Sequence, residues 1–437
     1  MISDDRKQII LDKLNIAFEE KNPLFSMDEI RSIVSSYLDK RGYYLDLLKM
    51  HNPPCYIFEP QILKKKSDDF RQAFSFLMPD TSFYFAMKCN NHPEMSSEMM
   101  KNGYGLDVSS GLELEQALSL GCDDIVFSGP GKTQNEHILA LKHSSRVKIL
   151  VDSFGELERL KTIAEAMQTH IRIGVRLTTN PKMLWRKFGI LPERLEEFYL
   201  QTTKCGFIHF EGLQFHTSWN LNPSVQCEFI RKIGDVLGTV SWQCRKSIKF
   251  IDIGGGYWPE QGEWMHYETT NIGMVEKAIE SLDEETRKTH YRSPSQPISF
   301  FAQEISKTIK ENIFPKVNCK ICFEPGRWIC NDSIQLFLTV VDIKEPDIAI
   351  TDAGTNTIGW DRFEYDYFPI INMSRPSLEE KRFNILGALC TPHDVWGYNY
   401  FGEDLKEGDI LMIPMQGAYT WSLRQNFIKP IPGFITV

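Results

Sequence analysis

The sequence predicts an α/β protein in which a (β/α)₈ barrel precedes a smaller all-β domain. Between residues 83 and 323, eight short apolar runs alternate with helical patterns, which is the order that parallel βαβ units produce. Eight strands in about 240 residues match a closed barrel in size, and a doubly wound sheet is the competing arrangement. After Trp328 the chain becomes rich in β-forming residues separated by glycine and proline, which predicts the second domain.

These patterns divide the chain into four segments. Residues 1–50 carry helical periodicity and form an N-terminal helical extension. Residues 51–60 contain a short strand that we expect to join the β domain. The barrel occupies residues 61–327 and the C-terminal β domain residues 328–437.

The predicted elements follow in order along each segment. In the extension we expect a first helix near residues 10–18 and one amphipathic stretch over 27–48. A helix over 62–76 precedes the barrel, and a helical segment over 267–311 is long enough to include an excursion. The predicted barrel strands are 83–87, 104–108, 125–127, 147–151, 171–177, 210–215, 249–253 and 320–323. The β domain should contain strands at 336–341, 348–350 and 410–413.

Composition narrows the class of ligand to small molecules. The 437 residues are 42% hydrophobic and 24% charged, with a net charge of −9 and no basic stripe, which disfavours nucleic acid and anionic membrane as partners. The acidic start and the absence of an apolar run of roughly eighteen residues predict a soluble, cytoplasmic protein. Ten scattered cysteines suggest reduced thiols, and we expect no metal site at Cys319 and Cys322 because a second ligand pair is missing.

Polar residues stand where the predicted strands end. Because the carboxyl ends of barrel strands meet on one face, residues at those positions should share an active site. In chain order they are Lys88, Asp107, Arg176, His216, the glycines Gly254, Gly255 and Gly256, and then Glu324, Gly326 and Arg327. Each alone has an ordinary structural explanation, but their joint placement favours an active site.

Lys88 and the triple glycine indicate the chemistry. A lysine that closes a buried strand is either a residue reaching the surface or an amine able to form a Schiff base with a carbonyl cofactor. The glycines either make a tight turn or bind a phosphate, which barrels often hold in the loops after their seventh and eighth strands. A second glycine-rich segment, 128–133, ends like a nucleotide-binding loop but has Val126 where the first glycine is needed, so we reject that function.

A Schiff-base lysine, a phosphate cradle and a carboxylate on one barrel face together suggest pyridoxal phosphate. This cofactor needs an acid near its ring nitrogen in order to act as an electron sink, and Glu324 fits that need. His216 could lie flat on the ring, although a single histidine at a strand end is more often a core residue.

At these residues the chain resembles the fold type III pyridoxal-phosphate decarboxylases, the group that includes ornithine, arginine and diaminopimelate decarboxylases. The resemblance covers roughly residues 54–434. It rests on several ordered motifs, which are 84–91, 105–109 with Glu113, 215–216, 252–256, 324–327, 352–354, 387–390 and 417–420. It implies an alanine-racemase-like barrel and β domain that bind pyridoxal phosphate.

The resemblance also implies a role for each matching residue. Lys88 would bind the cofactor covalently, His216 would stack on its ring and Glu324 would pair with the ring nitrogen. The expected phosphate ligands are Gly254, Gly255, Gly256, Gly326, Arg327 and Tyr419, with Asp107 and Arg176 supporting the ring and the lysine. Sites in this family lie between the subunits of a head-to-tail homodimer, so Cys390 would come from the partner chain and return a proton to the α-carbon. A small buried hydrophobe is the alternative for Cys390.

Two departures from the family pattern affect the substrate and the phosphate. The stacking histidine is usually followed by glycine and serine, whereas this chain has Thr217, then Ser218 as the replacement phosphate ligand, then Trp219. After Cys390 the family places an acid that meets the substrate's distal amine, and here Thr391 stands, followed by His393 and Asp394. We expect these last three residues to contact substrate. A simple diamino acid is therefore a less secure substrate than an amino-acid conjugate.

The predicted function is decarboxylation of an amino acid or amino-acid conjugate to an amine, in a pathway such as polyamine or siderophore biosynthesis. A racemase on the same fold is the chemical alternative, but racemases of this type place a cation by the ring nitrogen where this chain has Glu324. An inactive binding protein, comparable to antizyme inhibitors, is the other alternative, against which Lys88, His216 and Cys390 speak.

Overall fold

A computed structural model describes residues 2–19, 24–180, 182–282, 289–359 and 367–437. It contains a closed barrel of eight parallel strands and an eight-stranded, mostly antiparallel sheet, which confirms the predicted fold class. No helix in these ranges is long and apolar enough to cross a membrane.

The chain begins with three helices, α1 (Asp4–Glu19), α2 (Met27–Leu38) and α3 (Arg41–Leu48). The one amphipathic stretch predicted over 27–48 is thus two helices, which pack against the β domain through Ile30, Val34, Tyr44 and Leu48. No residue of α1 is buried. The extension therefore shares a core with the β domain, and Trp264 of the excursion also belongs to this core.

The strand β1 (Cys55–Phe58) follows and lies in the large sheet rather than in the barrel. The chain then enters the barrel through the helix α4 (Pro60–Ser75). The first seven barrel strands are β2 (Thr81–Ala86), β3 (Gly105–Val108), β4 (Ile125–Phe127), β5 (Val147–Val151), β6 (Ile171–Arg176), β7 (Ile208–Gln214) and β8 (Phe250–Asp252).

Helices surround these strands, and several begin at a capping residue that the sequence supplies. Ser110, Thr133 and Ser153 each accept a hydrogen bond from the backbone N–H of a glutamate three positions later, which satisfies an otherwise unpaired helix-end donor. The helices are α5 (Pro93–Lys101), α6 (Gly111–Ser119), α7 (Gln134–Lys142), α8 (Phe154–Met167), α9 (Leu195–Thr202), α10 (Ser224–Thr239) and α11 (Trp242–Ser247).

An excursion interrupts the barrel before its last strand. It contains a two-stranded hairpin of β9 (Glu263–Met265) and β10 (Tyr291–Ser293), with α12 (Asn271–Ala278) between them. The helical segment predicted over 267–311 contains the strand β10, which was not predicted, and its residues 283–288 lie outside the described part of the chain. The barrel resumes with α13 (Ile298–Asn312) and closes with β11 (Lys320–Phe323), which pairs with both β8 and β2.

A short helix, α14 (Arg327–Cys330), leads into the β domain. Its strands are β12 (Ile334–Glu345), β13 (Ile348–Thr351), β14 (Ile371–Asn372), β15 (Glu380–Leu386), β16 (Val395–Phe401), β17 (Ile410–Ile413) and β18 (Gly433–Thr436). β1 pairs antiparallel with β12 and parallel with β18, so the segment before the barrel is built into the C-terminal sheet.

The interior of the barrel is narrow and is filled by large side chains. Its central cluster consists of Tyr84, Val126, Leu150, Phe250 and Cys322. Gly212 lies beside Phe250 in the paired strands β7 and β8, and a methyl group at Gly212 would fall on the Phe250 ring. Glycine at this position therefore makes room for the aromatic ring.

We expect Gly212→Ala to lower the free energy of unfolding by about 1–3 kcal/mol, because the added methyl group overpacks the barrel interior. Denaturant unfolding followed by circular dichroism measures the change. Adding Phe250→Leu should restore part of the loss, whereas the matched control Gly206→Ala should have little effect, since nothing lies within 4 Å of its new methyl group. Equal losses in both glycine variants would contradict this explanation.

Candidate active site

Lys88 lies directly after β2, in a short turn over Met87–Cys89 at the carboxyl end of the barrel. Its Nζ is 2.7 Å from Oδ2 of Asp107, which lies one residue before the end of the neighbouring strand β3. The Lys88 side chain is 34% exposed and that of Asp107 is fully buried, so the amine faces open space while its partner is fixed in the protein. Burial lowers the pKa of Lys88, but the carboxylates of Asp107 and Glu324 more than offset it, and the pKa lies above the ordinary value.

Asp107 is itself oriented by a residue that the sequence analysis did not select. The Ser128 hydroxyl, just after β4, donates a hydrogen bond to Asp107 Oδ1 at 2.6 Å and lies 3.2 Å from the Ser109 hydroxyl. Ser128 belongs to the rejected nucleotide-loop segment. Ser128 directly follows a barrel strand. The expectation that residues after barrel strands share the active site, which selected Lys88, could therefore have selected Ser128 as well.

A group of buried carboxyls lies opposite the lysine. Glu324 follows β11, and Gln214 of β7 donates to it, with Nε2 lying 3.4 Å from each carboxylate oxygen. Burial raises the pKa of Glu324 well above its usual range, and the nearby charges of Asp107 and Asp252 raise it further. Burial also raises the pKa of Asp252, the last residue of β8, to about 7. Burial thus favours the protonated form of both acids.

His216 is held as a neutral imidazole. The Gly255 N–H donates to its Nδ1 at 3.1 Å, so this nitrogen carries no proton. Burial, and then the charges of Lys88 and Arg176, lower the pKa of His216 well below its usual value. The 3.9 Å separation between His216 Nδ1 and Glu324 is consequently not an ion pair.

The triple glycine makes a turn that other residues could not adopt. Gly254 and Gly256 have φ angles of 68° and 83°, and a side chain on any of the three glycines would collide with neighbouring backbone. The N–H groups of Gly254 and Gly255 donate to Asp252 and His216. Because these two N–H groups are already used, a phosphate at this loop would be bound by Gly256 and by the neighbouring side chains.

Arg327 is the cation beside this loop. Its guanidinium lies over the Trp258 ring at 4.3 Å and over the Tyr419 ring at 4.9 Å. Tyr419 comes from the β domain, and burial raises its pKa to about 12. Gly326 is needed for close packing, because a methyl group there would lie 2.8 Å from Cβ of Cys89.

Backbone contacts connect the lysine segment to the β domain. The Tyr419 N–H donates to the Cys89 carbonyl at 2.7 Å, and the buried Asn90 amide donates to the Gly417 carbonyl at 2.9 Å. These bonds fix the residues that follow Lys88 against the loop that carries Tyr419.

Arg176 ends β6 and is nearly buried. Burial lowers its pKa, while the charges of Asp152, Glu324 and Asp107 act in the opposite direction. Its guanidinium also lies 4.4 Å from the centre of the Phe188 ring. Arg176 therefore contributes positive charge near the acids.

The segment after His216 is fixed by a buried asparagine. Asn220 Nδ2 donates to the Thr217 hydroxyl at 2.8 Å, and Asn220 N–H donates to the Gly256 carbonyl at 3.0 Å. Trp219 adopts a φ of 54°, is exposed and donates to Glu263. Ser218, between Thr217 and Trp219 in the sequence, is half-buried.

The loop between β15 and β16 carries the residues expected to meet substrate. Cys390 is exposed there, His393 is exposed and Thr391 is half-buried. Asp394 is buried, and its carboxylate accepts hydrogen bonds from the N–H groups of Thr355 and Leu389, both at 2.7 Å. This position suits Asp394 for ordering the loop rather than for contacting substrate, in contrast to its expected role.

These residues fit pyridoxal phosphate. An amine faces open space, a buried carboxyl can meet a ring nitrogen, and a side-chain-free loop lies beside an arginine. Buried Gln214 Oε1 has no hydrogen-bond partner within the described residues, so one acceptor of the site is left unused by the protein.

A family model described as "Pyridoxal-dependent decarboxylase, pyridoxal binding domain" matches residues 61–331. The chain belongs to this family. It is therefore a pyridoxal-phosphate-dependent carboxy-lyase that acts on an amino acid, which confirms the predicted cofactor and reaction.

Curated relatives and solved structures agree with this membership. The chain is 26% identical to the diaminopimelate decarboxylase of Methanothermobacter thermautotrophicus, over 90% of this chain and 88% of the relative. It is 25% identical to the 2-[(L-alanin-3-ylcarbamoyl)methyl]-2-hydroxybutanedioate decarboxylase of Staphylococcus aureus, over 83% and 89%. The crystal structure of diaminopimelate decarboxylase from M. jannaschi shares the fold, with a TM-score of 0.76, 23% identity and coverage of 90% of this chain and 88% of that chain. None of these three is named as a racemase or as an inactive binding protein.

The raised pKa of Asp252 predicts a measurable dependence of stability on pH. Between about pH 4 and pH 7 the folded protein keeps a proton on Asp252 that the unfolded chain, with an ordinary pKa of 3.8, has lost. The folded state then binds more protons, so this group lowers stability as pH rises. Asp252→Asn keeps the acceptor for Gly254 and removes the titration.

Melting temperatures of the cofactor-free protein at about pH 5 and about pH 7.5 test this expectation. The decrease from the lower to the higher pH should be smaller in Asp252→Asn than in the wild type. The exposed control Asp235→Asn should retain the wild-type difference. An unchanged difference in Asp252→Asn would show that Asp252 titrates normally.

Proposed function

We propose that the protein decarboxylates an amino-acid conjugate at Lys88, in a site completed by a second copy of the chain. The observation that carries this proposal is the amine of Lys88, paired with buried Asp107 and facing open space beside the glycine loop and Glu324. A lysine with only a surface role would not be expected to pair with a fully buried carboxylate at a strand end, because burying an ionised group is costly.

Bound pyridoxal phosphate supplies an electron sink for the electron pair that carbon dioxide leaves behind. Glu324 would hold the proton shared with the ring nitrogen, which its raised pKa favours. Neutral His216 would cover one face of the ring without adding charge. Arg327 and Tyr419, with Ser218 and Gly256, would bind the phosphate and so fix the ring's distance from Lys88.

Lys88 has to change protonation state during the reaction. As a free amine it would hold the cofactor, and as an ammonium beside Asp107 it would hold a proton within the site, while Cys390 would supply the proton for the α-carbon. Asp107 sits 2.7 Å from its Nζ and favours the ammonium. Ser128, by fixing Asp107 Oδ1, would hold that carboxylate in place while the proton moves.

Two observations support a conjugate as substrate. The residue after Cys390 is Thr391, so this loop does not place an acid there to meet a distal amine. The Staphylococcus aureus relative is named for a substrate in which an alanine unit is joined through an amide to hydroxybutanedioate. A substrate of this kind has no free distal amine at the joined nitrogen.

The exposed position of Cys390 supports a shared site. Its thiol lies on a loop of the β domain, and Asp394 orders the backbone around it. Such a thiol can reach the site of a neighbouring chain in a head-to-tail homodimer, where it would return a proton to the α-carbon. The ten free cysteines fit a reducing, cytoplasmic setting for the enzyme.

Borohydride treatment of the cofactor-loaded protein should attach the cofactor permanently to the peptide that contains Lys88, as measured by mass spectrometry. Lys88→Ala should abolish both this label and carbon dioxide release, because no other amine of the described site occupies that position. The exposed control Lys101→Ala should retain both. A label on a different lysine would contradict the assignment.

Mixing two inactive variants tests the shared site. Lys88→Ala and Cys390→Ala homodimers that exchange subunits should recover up to about a quarter of wild-type activity, because half of the dimers would be mixed and each would keep one intact site. Activity is measured as carbon dioxide release after equilibration. No recovery from a mixture shown to have exchanged subunits would place both residues in one chain's site.

A further inference from the structure

Trp219 holds a backbone conformation that tryptophan seldom adopts. Its φ is 54°, in the left-handed region, where crowding between Cβ and the backbone disfavours most residues other than glycine and asparagine. Asn220, which would tolerate this conformation better, stands one position later and makes the bonds to Thr217 and Gly256. Trp219 is also 62% exposed, so burial offsets little of the strain. Specific contacts of the indole ring therefore have to hold it in place.

Two contacts fix the indole ring. Its Nε1 donates a hydrogen bond to Oε1 of Glu263 at 2.9 Å, and Glu263 is the first residue of β9. The ring centre lies 5.9 Å from that of Trp258, with the two planes inclined at 32°, which is within the range of attractive aromatic pairs. Trp219 therefore connects the excursion to the segment that follows the triple glycine.

The backbone brings these two segments together. The N–H of Asn220 donates to the Gly256 carbonyl at 3.0 Å, and the N–H of Trp258 donates to the Asn220 carbonyl at 3.2 Å. The residue after Trp219 is thus paired with the chain between the glycine loop and Trp258. A change at Trp219 consequently acts on residues that adjoin the glycine loop, although Trp219 itself lies at the surface.

Trp258 connects Trp219 to Arg327. Trp258 is nearly buried, and the Arg327 guanidinium lies over its ring at 4.3 Å and over the Tyr419 ring at 4.9 Å. A guanidinium held against ring faces keeps N–H groups for an anion, as a phosphate requires. A cavity of about 40 Å³ adjoins both Trp258 and Arg327, so the Trp258 ring has space to move if the Trp219 ring is removed.

We propose that Trp219 is a positioning residue for the cofactor phosphate: it holds Trp258 against Arg327 and so fixes the guanidinium that binds the anion. The inference rests on the proposed function, in which Arg327 is a phosphate ligand. It also gives the excursion a role, because Glu263 of β9 orients the Trp219 ring. The tryptophan that departs from the family pattern after His216 then serves phosphate binding through Arg327 and not by direct contact.

The proposal is tested by binding of pyridoxal phosphate, and of pyridoxal, which lacks the phosphate, to the cofactor-free full chain. Each Kd is measured from the visible absorption of the bound compound. Trp219→Gly accepts the backbone conformation and removes the ring, and it should raise the Kd of pyridoxal phosphate about fivefold while changing that of pyridoxal less than about twofold. Trp219→Phe keeps a ring against Trp258 and should recover most of the loss. The control Trp242→Ala removes a tryptophan of similar exposure, 60%, and should leave both Kd values unchanged.

A double-mutant cycle tests the route through Arg327. Arg327→Ala should itself weaken binding of pyridoxal phosphate more than binding of pyridoxal, since it removes a cation. In the Arg327→Ala background, Trp219→Gly should have little further effect, because residues that act through one contact give non-additive losses. The proposal is overturned by a Trp219→Gly loss of the same size in both backgrounds, by equal losses for the two compounds, or by no loss.

Two safeguards keep the outcome clear. If Trp219→Gly does not fold, Trp219→Asn, which also accepts a positive φ, replaces it in both measurements. The proposed function is judged separately, by the borohydride label at Lys88 in the wild type. A label there, with no selective loss in the Trp219 variants, overturns this inference alone, whereas absence of the label overturns both.

Discussion

The ion pair between Lys88 and Asp107 is the interaction on which the arrangement of the site depends. Three carboxyls, those of Asp107, Asp252 and Glu324, lie at the carboxyl end of the barrel, where burial opposes their ionisation. A buried charge left without a partner costs several kcal/mol or more, so the fold has to supply cations or retain protons. Lys88 and Arg176 supply the positive charge, and the raised pKa values of Asp252 and Glu324 show that protons supply the remainder.

This balance explains why the lysine remains partly open while its partner is buried. A fully enclosed Lys88 could not exchange partners with an incoming amine, and a fully exposed one would lose the field of the acids. The site satisfies both needs because β2 ends at Ala86, which pairs with Asp107, so that Lys88 lies just beyond the strand while its partner stays buried within the sheet.

Much of the barrel could be predicted because parallel strands buried on both faces appear as continuous apolar runs, and each of the eight predicted runs became a barrel strand. The strand-end rule also selected Lys88, His216 and Glu324, which the structure brings together at one end of the barrel. It could not find what Ser128 and Asn220 do, because their partners are distant in sequence and depend on how the barrel closes.

The hairpin strand β10 was missed since its three residues have no periodicity to detect, and its partner lies before α12. Asp394 looked like a substrate ligand from its motif, but only the folded loop shows that backbone N–H groups occupy its carboxylate.

The hydrogen bonds from Tyr419 and Asn90 place the barrel and the β domain on either side of the same few residues. A chain segment held this way cannot relax in one domain while the other stays folded. The two domains should consequently melt as one cooperative unit, with the lysine segment at its centre. In a fragment that lacked the β domain, Lys88 would lose its fixed position, so the fragment would be inactive and not merely slower.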